Sequence, residues 1–250
     1  MKEHRVYKIL FITLVFISTS THLHASNKKC DGANASQFSI LLDLSEPLDK
    51  PSSIAFETLS QKMIDTLPSG GKLNVYTIKT NAEEVDEPDF TECIPDFDNM
   101  KGKIFKEKAI KHFHTKLQPE FKKISKVVIP SKSSPILENL FKISHSDFLR
   151  STKDNKHTMV VISDLVQNSN LADFYKDIPS YDSFKKKSTS WLPNANSVEI
   201  YLILINSPSS SKTELLKIRN FWLDYSKNNF KFCGFSGLNE AAAQFSVTCE

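Results

Sequence analysis

Two short runs constrain this chain more than anything else in it: Phe38-Ser-Ile-Leu-Leu-Asp43-Leu-Ser45 and Met159-Val-Val-Ile-Ser-Asp164. Each is apolar and partly β-branched, and each ends abruptly in a carboxylate beside a hydroxyl. Such runs are too short for a helix to be the better reading and too continuous for a strand with one wet face. They read as strands buried on both faces of a parallel sheet. Open α/β sheets bind their ligands at the carboxyl ends of the strands. Asp43 and Asp164 lie there, which points to an oxygen-lined site suited to a hard cation.

The remaining pattern agrees with a mostly parallel sheet covered by helices on both faces. Asp49, Pro51 and Ser52 open a helix whose stripe is Ala55, Phe56, Leu59, Met63 and Leu67, and Pro68-Ser-Gly-Gly71 stops it. Residues 72–79 alternate and form a second strand, completing a β-α-β unit. An irregular insertion follows over about residues 81–130. Its first part, 83–98, carries eight carboxylates and no Lys or Arg, and its second, 101–126, nine lysines against two glutamates. The two read as solvated faces that screen one another. Ile110, Phe113, Leu117, Phe121 and Ile124 keep helical spacing through the basic part, predicting a helix broken near Pro119. Ser134 suits an N-cap and Pro135 the first position of the next helix. A loop rich in Asn and Ser (Gln167 to Asn170) and a polar stretch up to Pro193 follow Asp164, residues 198–205 form another buried strand, and Leu215, Ile218, Trp222 and Tyr225 mark a helix. The tail from Phe230 holds a last short strand and a helix at Ala241-Ala-Ala.

Residues 1–25 stand apart. Lys2, Arg5 and Lys8 precede an unbroken apolar run over 9–17, and small or polar residues lead to Ala25-Ser26. That is the layout of a secretory signal peptide cleaved after Ala25, and the run falls short of the ~20 apolar residues that span a bilayer. The expected mature protein is thus a single exported domain, 26–250, periplasmic or extracellular, with no transmembrane segment. Its net charge is +1, from 29 basic and 28 acidic side chains, which gives no case for nucleic acid or an anionic membrane as partner. All four cysteines, Cys30, Cys93, Cys233 and Cys249, lie in this part, so two disulfides are expected in an oxidising compartment. Three pairings are open to them. Proximity favours Cys233 with Cys249, leaving Cys30 with Cys93.

Taken in chain order, Asp43-x-Ser45 after one strand, Ser134-Pro-Ile-Leu at a helix start and Ser163-Asp164 after a later strand resemble the von Willebrand factor A domain. The resemblance spans essentially the whole mature chain in its order of elements. It implies a metal-ion-dependent adhesion site, with Asp43, Ser45, Ser134 (for the family's Thr) and Asp164 around magnesium or another divalent cation. Two positions depart from the pattern: Pro47 stands where a second Ser belongs, and Leu165 replaces a common Gly. The insertion, with its Cys93-Ile-Pro95, is similar to that of bacterial exported proteins related to the family, a subgroup that implies no particular activity.

The resulting expectation is a non-enzymatic binding module that recruits a protein partner at its strand-end face. Two alternatives stand beside it: a metal-dependent phosphohydrolase-like enzyme, since an apolar strand ending in Asp also begins such sites, and a metal-free scaffold whose site has decayed. Ser45, not a second Asp, follows Asp43 at two residues, which weighs against the enzyme. His112 and His114 point apart on a helix, Gly234-Phe-Ser236-Gly237 is not a nucleophile elbow, and the zinc-protease, dinucleotide and P-loop motifs are absent.

Overall fold

A computed structural model describes residues 30, 36–43, 48–80, 85, 87–124, 133–145, 156–205, 211–246 and 249. The expected signal peptide, Ser45 with Pro47, and parts of the insertion (81–84, 86 and 125–132) lie outside them. The described chain forms six strands in one sheet: β1 (Gln37–Leu42), β2 (Lys72–Thr77), β3 (Phe90–Cys93), β4 (His157–Ser163), β5 (Ala195–Leu204) and β6 (Phe230–Gly237). Their spatial order is β3-β2-β1-β4-β5-β6, and every pairing is parallel except β2 with β3. The sheet is the mostly parallel one expected, and the two carboxylate-ended runs are its neighbouring central strands.

Helices cover both faces. On one lie α1 (Lys50–Thr66), α2 (Lys103–Ile124) and α6 (Leu238–Gln244), packed with Phe38, Ile40 and Leu42 of β1 and Val160 and Ile162 of β4. On the other lie α3 (Ile136–Ile143), α4 (Tyr181–Lys187) and α5 (Lys212–Asn229), packed with Leu41, Met159 and Val161. Strand alternation thus feeds two separate cores, which is why each central run is apolar throughout. Burying each of these large side chains contributes about 1.5–3 kcal/mol. The start of α1 is the predicted one: the Asp49 carboxylate accepts the Ser52 N–H at 2.8 Å, and Pro51 stands in the first turn.

Two expectations need correction. The insertion is not irregular throughout, because residues 90–93 form edge strand β3 against β2. Helix α2 does not break at Pro119 but runs on to Ile124. Pro119 is on its exposed side, while Phe113, Leu117 and Phe121 hold the opposite side in the core. The polar stretch before Pro193 carries α4 and a 3₁₀ turn (Thr189–Trp191), with Tyr181 and Phe184 buried against Phe221. The charge runs of the insertion do meet, through Lys116 with Glu92 and Lys106 with Asp98.

Candidate functional site

Where β1 and β4 end, the chain turns Asp43 and Ser163 toward each other, and α3 brings Ser134 beside them. Asp43 is 6% exposed, and its Oδ2 accepts the Ser134 hydroxyl at 2.7 Å and the Ser163 hydroxyl at 2.9 Å. Ser134 is not the N-cap its position suggested. Pro135 takes that place without a side-chain hydrogen bond, and the Ser134 hydroxyl is spent on a carboxylate 91 residues away in sequence. Its backbone is held separately, by a reciprocal pair of hydrogen bonds with Asn168 at 2.9 Å. A serine that donates its proton to a carboxylate keeps its lone pairs for a third group.

Asp164 follows directly, half-buried, with Oδ1 accepting the Val166 N–H at 2.9 Å. Between them Leu165 adopts φ of +60°, the left-handed conformation that a branched residue holds at a cost of about 1–2 kcal/mol. Three contacts fix it there. Its N–H donates to Ser163 Oγ at 2.7 Å, its carbonyl accepts Trp222 Nε1 from α5 at 2.8 Å, and its side chain is fully buried. Burial worth about 1.5–3 kcal/mol offsets the backbone cost, which explains a leucine where a glycine would be easier. Asp43, Ser134 and Asp164 therefore gather at one end of the sheet, while Ser45 lies outside the described residues. Ser163 was legible as the hydroxyl before Asp164 but not as a partner of Asp43. Each follows directly on a paired residue of neighbouring parallel strands, Leu42 opposite Ile162, and that register is the signal that links them.

A polar cleft of about 590 Å³ opens beside Ser134, lined by Ser133, Pro135, Glu138, Asn168 and Lys176. Glu138, buried on α3, accepts Gln167 Nε2 at 2.9 Å and the Ser169 hydroxyl, while Gln167 Oε1 accepts the Leu137 N–H at 2.9 Å. That network locks the loop after β4 onto the start of α3. At the rim, the hydrogen bond from Lys176 holds the Asp173 carboxyl below its ordinary value, and Asp173 in turn raises Lys176.

A second group, Glu199 with Cys233 and Cys249, has metal-ligand spacing, but its chemistry is wrong for a cation. The two sulfurs are bonded to each other, with Cα atoms 4.6 Å apart. The buried Glu199 carboxylate is already paired with Lys156 and Lys231, each at 3.1 Å. Nearby, burial first and the Glu199 charge second push the Tyr201 phenol up to about 12. The other disulfide joins Cys30 to Cys93 with Cα atoms 5.2 Å apart, so the pairing favoured by proximity is the one formed. His114 faces Gln61 and Asp65 on α1 and not His112.

No family model matches this chain, and no curated protein does. Among solved structures, the manganese-loaded TRAP protein of Plasmodium vivax superposes on 84% of this chain and 72% of its own, with a TM-score of 0.42 and 15% identity. A likeness that distant assigns no residue.

Proposed function

We propose that this chain is an exported von Willebrand factor A-like binding module that recruits a protein partner at the strand-end face through a divalent cation, without enzymatic turnover. The observation that carries the reading is the diversion of the Ser134 hydroxyl from a helix cap to the buried Asp43 carboxylate. Asp43, Ser134 and Asp164 form an all-oxygen donor set, which fits magnesium, manganese or calcium and not a soft metal. Ser45 completes the set in this reading. When bound, the cation supplies a Lewis-acidic position that a partner carboxylate can fill. The cleft beside Ser134 supplies polar contacts around it.

The test is thermal unfolding of the mature, disulfide-intact protein with magnesium, manganese and calcium in turn. A cation held only by the folded state at a hundred times its dissociation constant adds about 2.7 kcal/mol, a rise of roughly 5–10 °C for a chain of this size. Asp164→Ala should retain the fold and lose the rise. Absence of any shift with all three metals at millimolar concentration would favour the metal-free scaffold, and metal-dependent turnover of a generic phosphate ester would favour the enzyme.

Export is tested independently. The basic, apolar and small-residue order of residues 1–25 predicts that mass spectrometry of the secreted protein finds a mature start at Ser26. A protein that stays in the cytoplasm and retains Met1 would exclude it. Among the described residues no helix is long and apolar enough to cross a membrane.

A further inference from the structure

Strand β6 forms one outer edge of the sheet, with Cys249 tied to its Cys233 by a disulfide. From Lys231 to Ser236, among the described residues, no backbone hydrogen bond reaches it from any element but β5, and these residues are half-buried or exposed. Edge strands are usually blunted by proline, charge or bulges. Its pairing with β5 shifts register twice: between Phe230 and Lys231, which face Ala195 and Glu199, and at Cys233, where Phe232 faces Ile200 and Gly234 already faces Tyr201. Beyond it, Gly234–Gly237 keep unbroken register with Tyr201–Leu204 and carry neither a proline nor a charge.

The wall beside this edge is apolar and basic. On α5, Leu216, Arg219, Leu223 and Lys227 follow at helical spacing, with Leu216 56% exposed. Arg219 stands over the Phe235 ring at 5.5 Å and Lys227 over the Phe232 ring at 5.8 Å, so this stripe flanks β6 itself. Together α5 and β6 carry five Lys or Arg (212, 217, 219, 227 and 231) against two carboxylates (214 and 224). The excess disfavours one occupant: pairing β6 with the same strand of a second copy would bring two basic walls, each carrying Arg219 and Lys227, together.

We infer that the β6 edge docks an extended acidic segment of a partner protein by strand addition. The partner's backbone extends the sheet beyond Gly234–Gly237. Its carboxylates face α5 and meet Arg219 and Lys227, while its intervening apolar side chains turn to the opposite face of the sheet, beside Cys233 and Phe245. Main-chain pairing supplies affinity and the flanking side chains supply selectivity. This surface requires no cation and is separate from the strand-end site.

The test uses the mature, disulfide-intact protein and labelled synthetic peptides alternating glutamate with valine, isoleucine, leucine, phenylalanine or tyrosine, read by fluorescence anisotropy at low ionic strength. Lysine-for-glutamate peptides and peptides N-methylated along either edge serve as controls. At least one acidic peptide should bind about tenfold or more tighter than its lysine counterpart. One of its two N-methylated forms should lose binding while its charge is unchanged, and amide exchange should slow along β6. Arg219→Glu with Lys227→Glu, both exposed, should weaken binding by about tenfold or more while the protein keeps its cooperative unfolding. Equal binding of both N-methylated forms, no preference for acid over base, or slow β6 amides at high protein concentration without peptide would each overturn the inference, the last in favour of a copy-to-copy interface.

Discussion

Trp222→Ala should cost roughly 4–6 kcal/mol in urea unfolding, close to half the stability of an ordinary domain. The indole is fully buried, with Phe221 and Tyr225 packed edge-on at 5.6 and 5.4 Å. Removing it leaves a large cavity and deprives the buried Leu165 carbonyl of its donor. Trp222→Phe helps separate the two contributions, since it keeps most of the ring volume but loses the hydrogen bond. Its cost should fall to about 1–3 kcal/mol. The same bond pins the left-handed Leu165 directly after Asp164, so on the proposed reading both variants should also weaken a metal-dependent rise in melting temperature. An alanine variant losing less than about 2 kcal/mol would mean that the core closes over the gap and that Leu165 needs no support from α5.

Removing the Cys30–Cys93 disulfide, by substituting both cysteines with serine, should cost about 4 kcal/mol, and the Cys233–Cys249 pair about 3 kcal/mol. The order follows from loop length: the first closes 63 residues of separation and the second 16, and the entropy withheld from the unfolded chain grows with the logarithm of the loop. Alkylation of unreduced, denatured protein should label none of the four thiols, and chemical unfolding of each double variant gives the two costs. Equal losses, or a larger loss for the short loop, would mean that native packing around the cysteines outweighs chain entropy.

What could be read from the sequence divides along physical lines. β1, β4 and β5 were legible because a strand buried on both faces must be apolar throughout, and α1 because its cap, proline and stripe agree. β3 was not, since Phe90-Thr-Glu-Cys93 is short, sits in an acidic run and is held as a strand by β2 and by the Cys30 disulfide. Pro119 misled because the residue type alone signals a break, whereas burial of Phe113, Leu117 and Phe121 on the other side of α2 holds the helix together across it. α4 escaped notice because a seven-residue helix has too few turns to show a period, and its burial of Tyr181 and Phe184 comes from tertiary contacts with α5. At the site, the carboxylates stood out as abrupt ends to apolar runs. Ser134 is the instructive case: its residue type was right for two roles, and only the fold, by placing Asp43 at 2.7 Å, decides between them.

The two disulfides also set how the molecule bears tension. Cys30 precedes β1 yet is bonded to the end of β3, the outer strand on one side, and Cys249 follows α6 yet is bonded to β6, the outer strand on the other. A pull applied upstream of Cys30 and downstream of Cys249 therefore enters the sheet at its two margins, through covalent links. Part of that load bypasses β1, whose hydrogen bonds to β2 and β4 position Asp43.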